Sequence, residues 1–187
     1  MGRQAKLRVD VDRRGRTFEA QAVCEVQATA AVVWQTITDY PSLPEFMPGI
    51  RACAVVEREA LAREVERLLV EQEGEFRFML FSQPLKVRLE IEHRESRIAH
   101  ARALSFDLGL LKGRALEAFE GRYELQPGPA RGPVALRYTS TMVSRYPPPP
   151  GIGSLAVRQN LEAQLRAVVA ECERRAALRK RPRAGGG

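Results

Sequence analysis

The sequence predicts an α+β domain in which an antiparallel sheet curls around one long C-terminal helix. Three observations carry this. Residues 151–177 form the one long stretch with a helical period: Val157, Leu161, Leu165, Val168 and Cys172 recur at spacings of three and four, whereas Arg158, Glu162, Arg166, Glu173 and Arg174 lie off that line. Residues 50–145 instead repeat a two-residue alternation, strand after strand. The only other helical patterning is a short piece near the start, an order that argues for α+β and against alternating α/β. A lone amphipathic helix after many strands needs a surface to cover, and the space between helix and sheet is where function is expected.

The 187 residues fit one domain, and 44% hydrophobic with 28% charged residues is the balance of a soluble globular protein. No apolar run reaches the roughly 18 residues of a membrane span, and the first fifteen residues carry no apolar stretch of signal-peptide kind; a cytoplasmic location is expected. The three cysteines (Cys24, Cys53, Cys172) are far apart and odd in number, which supports neither a disulfide framework nor a zinc site. Each is expected to be a small buried hydrophobe. The net charge of +7 gathers at the two ends, in Arg3 to Arg16 and in Arg174 to Arg183, with near balance between. Such ends suit weak contact with an anionic membrane or the ribosome better than specific nucleic-acid recognition.

Taken in order, residues 5–11 alternate (Leu7, Val9, Val11) and residues 17–27 resume the alternation after a turn at Gly15, giving a hairpin. Residues 28–39 form a short helix capped by Thr29, with Val33, Trp34 and Ile37 as its apolar stripe. Three prolines in residues 40–49 allow at most one helical turn, at 43–47, a lid or second short helix. Strands are expected at 50–59, 62–73, 75–82, 85–94, 97–107, 114–125 and 134–145, with a hinge at 109–113 and a loop at 126–133. The four prolines 147–150 form a turn before the last helix, and residues 178–187 a basic, Gly-rich tail expected to be disordered.

Several motifs resemble those of the START-like polyketide cyclase/dehydrase superfamily, which includes the coenzyme Q-binding proteins. They are Val33 and Trp34, then Asp39-Tyr40, Leu43-Pro44-Glu45-Phe46 and Pro48-Gly49, then Phe119, Gly121 and Tyr123, and the helix from about Gly151. The resemblance spans roughly residues 17–177 and leaves residues 1–16 as an extra strand and turn. It implies the helix-grip (START/Bet v 1-like) fold, two short helices after the first strand, and an elongated apolar cavity. Members bind lipids, quinones, polyketides or other hydrophobic molecules; some are cyclases or aromatases, and a related branch includes ribosome-associated toxins.

The expected ligand-binding residues are the inward aromatic and apolar positions: Trp34, Phe46, Met47, Phe76, Phe78, Leu89, Leu104, Phe119, Tyr138 and Met142, facing Leu161 and Leu165. The alternative is that they simply pack against one another. Arg102 is the candidate for recognising a ligand's polar head, because His100 and Arg102 share parity with Ile98, Leu104 and Phe106; a bulge that slips the parity would turn them outward. His93, in the charged run EHRE, reads as surface. Ser140 has no glycine elbow, no carboxylate pair points inward, and neither a metal cluster nor a phosphate or dinucleotide loop is present in the sequence, so no catalytic residue, metal or cofactor is expected. Carriage or sequestration of a hydrophobic small molecule is the expected function; the alternatives are a cyclase/aromatase-type enzyme, with His100, Arg102 or Tyr138 involved, and a ribosome- or membrane-associated interaction protein.

Overall fold

A computed structural model of the chain describes residues 7–78, 81–109, 116–126, 133–146 and 151–180. The hairpin of β1 (Leu7–Arg14) and β2 (Thr17–Val26) comes first. Its turn uses Gly15 at φ 62°, a left-handed conformation that side chains resist. Every second residue of β2 from Phe18 to Val26 is buried, so the alternation is realised in full.

Next comes α1 (Ala30–Ile37), whose first turn is capped by Thr29 accepting from the Val32 N–H. A 3-10 turn (Tyr40–Ser42) and the four-residue α2 (Leu43–Phe46) follow. Pro41 and Pro44 sit in the opening turn of each, where an N–H lacks an intrahelical partner anyway.

The remaining strands are β3 (Ile50–Ala62), β4 (Val65–Phe78), β5 (Phe81–Arg94), β6 (Ile98–Leu108), β7 (Leu116–Leu125) and β8 (Val134–Ser144), followed by α3 (Ile152–Lys180). All eight strands make one antiparallel sheet in the order β1-β2-β8-β7-β6-β5-β4-β3. Of residues 75–82, expected to be a strand of their own, 75–78 are instead the end of β4 and 81–82 the start of β5. Gly74 does not interrupt β4. It lets the backbone at Gly49 cross: the Glu75 N–H donates to the Gly49 carbonyl at 2.8 Å, and a Cβ on Gly74 would overlap that carbonyl oxygen.

Helix α3 lies against the same face of the sheet as α1 and α2. Its buried face serves two regions. Leu161 and Leu165 pack on Val9, Ala20 and Ala22 of β1 and β2. Val168, Val169, Cys172 and Ala176 join the main core with α1 and the middle strands. All three cysteines are buried free thiols. No helix among the described residues is long and apolar enough to cross a membrane. Residues 178–180, expected to open the disordered tail, continue α3; the expected hinge beyond Gly109, the loop at 127–132, the prolines 147–150 and the rest of the tail from 181 lie outside the described residues.

Candidate functional site: a cavity between sheet and helix

Small residues on the covered face create an interior space. Ala99 and Ala101 on β6 point toward α3, and Gly121 on β7 lies opposite Ala101 in the ladder. Large neighbours on both sides, Leu89 and Ile91 on β5 and Tyr123 and Tyr138 on β7 and β8, form a rim around this shortage of side-chain volume. The result is a cavity of about 150 Å³. Ile37, Tyr40, Leu43, Met47 and Ile50 close one side, and Gln164 and Val168 of α3 form the opposite wall. One water needs about 10–15 Å³ of such space, so it holds on the order of ten waters or one compact ring system.

The lining is mainly apolar, with Gln72, Gln164 and three tyrosines as its polar groups. Tyr123 and Tyr138 pack ring to ring at 4.8 Å. Burial raises the pKa of both phenols, which stay neutral and can donate. Burial also pushes the Cys172 thiol up to about 11, so it is no nucleophile at neutral pH.

Behind the wall at Tyr40 stands a chain of three polar side chains. The Tyr40 hydroxyl lies 2.7 Å from His93 Nε2, and His93 Nδ1 lies 2.9 Å from Glu66 Oε1. The Glu66 carboxylate only accepts, so Nδ1 carries the proton and Nε2 accepts from Tyr40. Trp34 meets the imidazole edge-on at 5.1 Å. Burial lowers the pKa of His93 and outweighs the opposing pull of Glu66, so the ring is neutral at pH 7. His93, expected at the surface from its charged neighbours, is instead buried and continues the inward alternation of Val87, Leu89 and Ile91.

A second polar cluster ties α3 to the α1–α2 segment. Glu171 is buried and accepts from Arg174 and Arg175, and Arg175 also reaches Asp39 at 2.9 Å while lying over the Phe46 ring. Hydrogen bonding from Arg174, with Arg175 adding to it, holds the Glu171 carboxyl down at about 2 against the opposing effect of burial.

Of the expected ligand-binding residues, the structure brings Met47, Leu89, Phe119 and Tyr138 to the cavity. Arg102 and Leu104 are corrections. Both point away from α3, Arg102 paired with Glu90 at 2.8 Å and Leu104 half-exposed; His100 is likewise outward, near Glu120. The cause is a bulge: β5–β6 pairing skips Leu104, so inward parity passes from Ala99, Ala101 and Ala103 to Phe106. Leu161 and Leu165 face β1 and β2 beside the cavity, not the cavity itself, because the N-terminal hairpin widens the sheet under the first half of α3. Trp34 and Phe46 pack behind the wall, and Phe76 and Met142 are part-buried without lining the space. The side chain of Phe78 lies outside the described residues. Tyr40, Tyr123 and Gln164 line the cavity without having been among the expected residues. Tyr123 sits on the inward parity already assigned to Phe119, and Tyr40 within the Asp39-Tyr40 motif.

Other hollows are open to water. One on the opposite face of the sheet, about 450 Å³, is rimmed by Glu19, Glu92, Arg94, His100, Glu120 and Arg122, a solvated charged surface. Among the described residues no group of His, Cys, Asp or Glu is placed to hold a metal.

An antiparallel sheet closed by a C-terminal helix over an apolar cavity defines the START-like helix-grip class. Within it, the family model described as polyketide cyclase / dehydrase and lipid transport matches residues 17–177, and the chain belongs to that family. A START superfamily protein from Mycobacterium smegmatis has a similar structure: TM-score 0.66, 15% identity, covering 87% of this chain and 99% of that one. So does the ZhuI aromatase/cyclase from Streptomyces sp. R1128, with TM-score 0.66, 18% identity and coverage of 91% and 99%. A STAR-related lipid transfer protein from Xanthomonas axonopodis gives TM-score 0.63, 15% identity and coverage of 91% and 96%. No curated protein matches the chain.

Proposed function

We propose that the chain binds a hydrophobic small molecule in the cavity between sheet and α3, for carriage or sequestration. The observation that carries this is the missing volume at Ala99, Ala101 and Gly121, walled by Leu89, Ile91, Met47, Phe119 and Val168. A well-packed core would fill it. Each 100 Å² of apolar ligand surface buried there contributes on the order of 2.5 kcal/mol, so affinity needs no catalytic group. Lipids, isoprenoid quinones and polyketide-like molecules fit this class, and the lipid transfer and aromatase/cyclase names of similar structures support it. The basic ends of the chain favour weak contact with an anionic membrane surface. Native mass spectrometry after gentle purification, followed by organic extraction, tests the proposal. A bound apolar ligand, or one that titrates in, is expected; neither would contradict it.

A second reading, a cyclase/aromatase-type enzyme, draws support from the Tyr40–His93–Glu66 chain behind the wall. With its own proton directed at His93, the Tyr40 oxygen can accept a proton from a substrate enol or acidic methylene while His93, backed by Glu66, takes the phenol's proton. If so, Tyr40→Phe abolishes turnover of a poly-β-carbonyl substrate while leaving its binding in place; unchanged turnover removes this reading.

A further inference from the structure

The sheet is split between β6 and β7. Their ladder runs only from Ile98↔Glu124 to Arg102↔Glu120. Beyond it β6 stays paired with β5 as far as Leu108↔Leu85, and β7 stays paired with β8 back to Leu116↔Ser144. Residues 103–108 and 116–119 therefore face each other with no ladder between them. Each strand carries a bulge there, β6 at Leu104 and β7 at Glu117, where the pairing with its outer neighbour skips one residue. A bulge bends and twists its strand, and one on each side accounts for the splaying.

The slot left between them is a hollow of about 460 Å³, with Leu104, Phe106, Leu116 and Phe119 as apolar lining and Arg145 at its rim. Phe119 also lines the interior cavity. One aromatic ring thus separates the two spaces. Arg145 is exposed, and its guanidinium makes none of the ion pairs found among the described residues; the neighbouring Glu117 is already paired with Arg16 at 2.6 Å.

We infer that the slot is a second binding subsite, one that passes the chain of a single-chain anionic amphiphile through the sheet. The far end of the hydrocarbon chain lies in the interior cavity, the chain crosses beside Phe119, and the carboxylate meets Arg145. This resolves a mismatch of size: about 150 Å³ inside cannot enclose a long-chain lipid, whereas the two spaces joined can. The bare backbone edges of β6 and β7 remain hydrated at the mouth. The inference rests on the proposed cavity function and fails separately from it.

The test compares 1-naphthol, which fits the interior alone, with palmitate, by titration calorimetry on the full chain. Leu104→Trp blocks the slot from a half-exposed position on β6, and Ala118→Trp does so from an exposed position on β7; neither residue lines the interior cavity. With either variant palmitate affinity is expected to fall about tenfold or more, and with Arg145→Ala several-fold, while 1-naphthol binding stays within about twofold. Palmitate bound equally well by Ala118→Trp and by the parent chain overturns the slot and leaves the cavity standing. A parent chain that binds neither probe overturns the cavity function, and the slot with it.

Discussion

The Tyr40 hydroxyl sits 2.7 Å from Nε2 of His93, joining the 3-10 turn after α1 to the C-terminal end of β5. Glu66 on β4 holds the other ring nitrogen at 2.9 Å, so one buried imidazole ties three elements together at the end of the cavity. Removing the phenol oxygen leaves Nε2 buried without its donor. Tyr40→Phe is expected to destabilise the fold by about 1–3 kcal/mol in denaturant titrations.

The same network makes stability depend on pH. The folded pKa of His93 lies below its ordinary 6.5 because the ring is buried. As pH falls below 6.5, the unfolded chain takes up a proton that the folded chain refuses, so stability declines; above 6.5 the group has no effect. Denaturation midpoints should therefore drop as pH falls below 6.5. In His93→Gln, less stable at neutral pH, that part of the slope should be absent; an unchanged slope would place its origin elsewhere.

Glu171 gives a second, lower window. Its folded pKa of about 2 lies below the ordinary 4.5, so its stabilising effect is complete above about pH 5 and is lost as pH falls toward 2. Glu171→Gln should cost about 2 kcal/mol at pH 7, because Arg174 and Arg175 lose a charged acceptor. The difference from the parent chain should shrink steadily below pH 4.5. Thermal melts across pH 2.5–7 measure it.

Two glycines separate steric crowding from backbone strain. Gly74→Ala places a methyl group on the Gly49 carbonyl oxygen and should cost about 1–3 kcal/mol or more. Gly15→Ala meets nothing within 4 Å, and only its φ of 62° resists, so about 1–2 kcal/mol is expected. A cost for Gly74→Ala well below about 1 kcal/mol in urea titrations would contradict the crossing of Gly49 over Gly74.

The fold was legible because its signals are periodic. Buried residues alternate along β2 as the sequence predicts, and the expected stripe of α3 is largely buried. The site was less legible, for reasons of three kinds. Parity arguments assume an unbroken ladder, and the bulge at Leu104 turned Arg102 and Leu104 to the outside. Aromatic residues were sought as cavity lining, whereas the space arises where side chains are small, at Ala99, Ala101 and Gly121. Which part of α3 overlies the middle of the sheet depends on the long-range join of β2 to β8. That join places Leu161 and Leu165 over the N-terminal hairpin and leaves Gln164 and Val168 to the cavity.

The most direct test fills the cavity from its floor. Ala101 lies opposite Gly121, and a phenylalanine there occupies the space between sheet and Val168. Ala101→Phe and the parent chain are purified side by side, checked for equal folding by circular dichroism, and titrated with 1-naphthol. Binding by the parent chain and its loss, by about tenfold or more, in the filled variant is the predicted result. Equal binding by both folded proteins would contradict a ligand site between the sheet and α3.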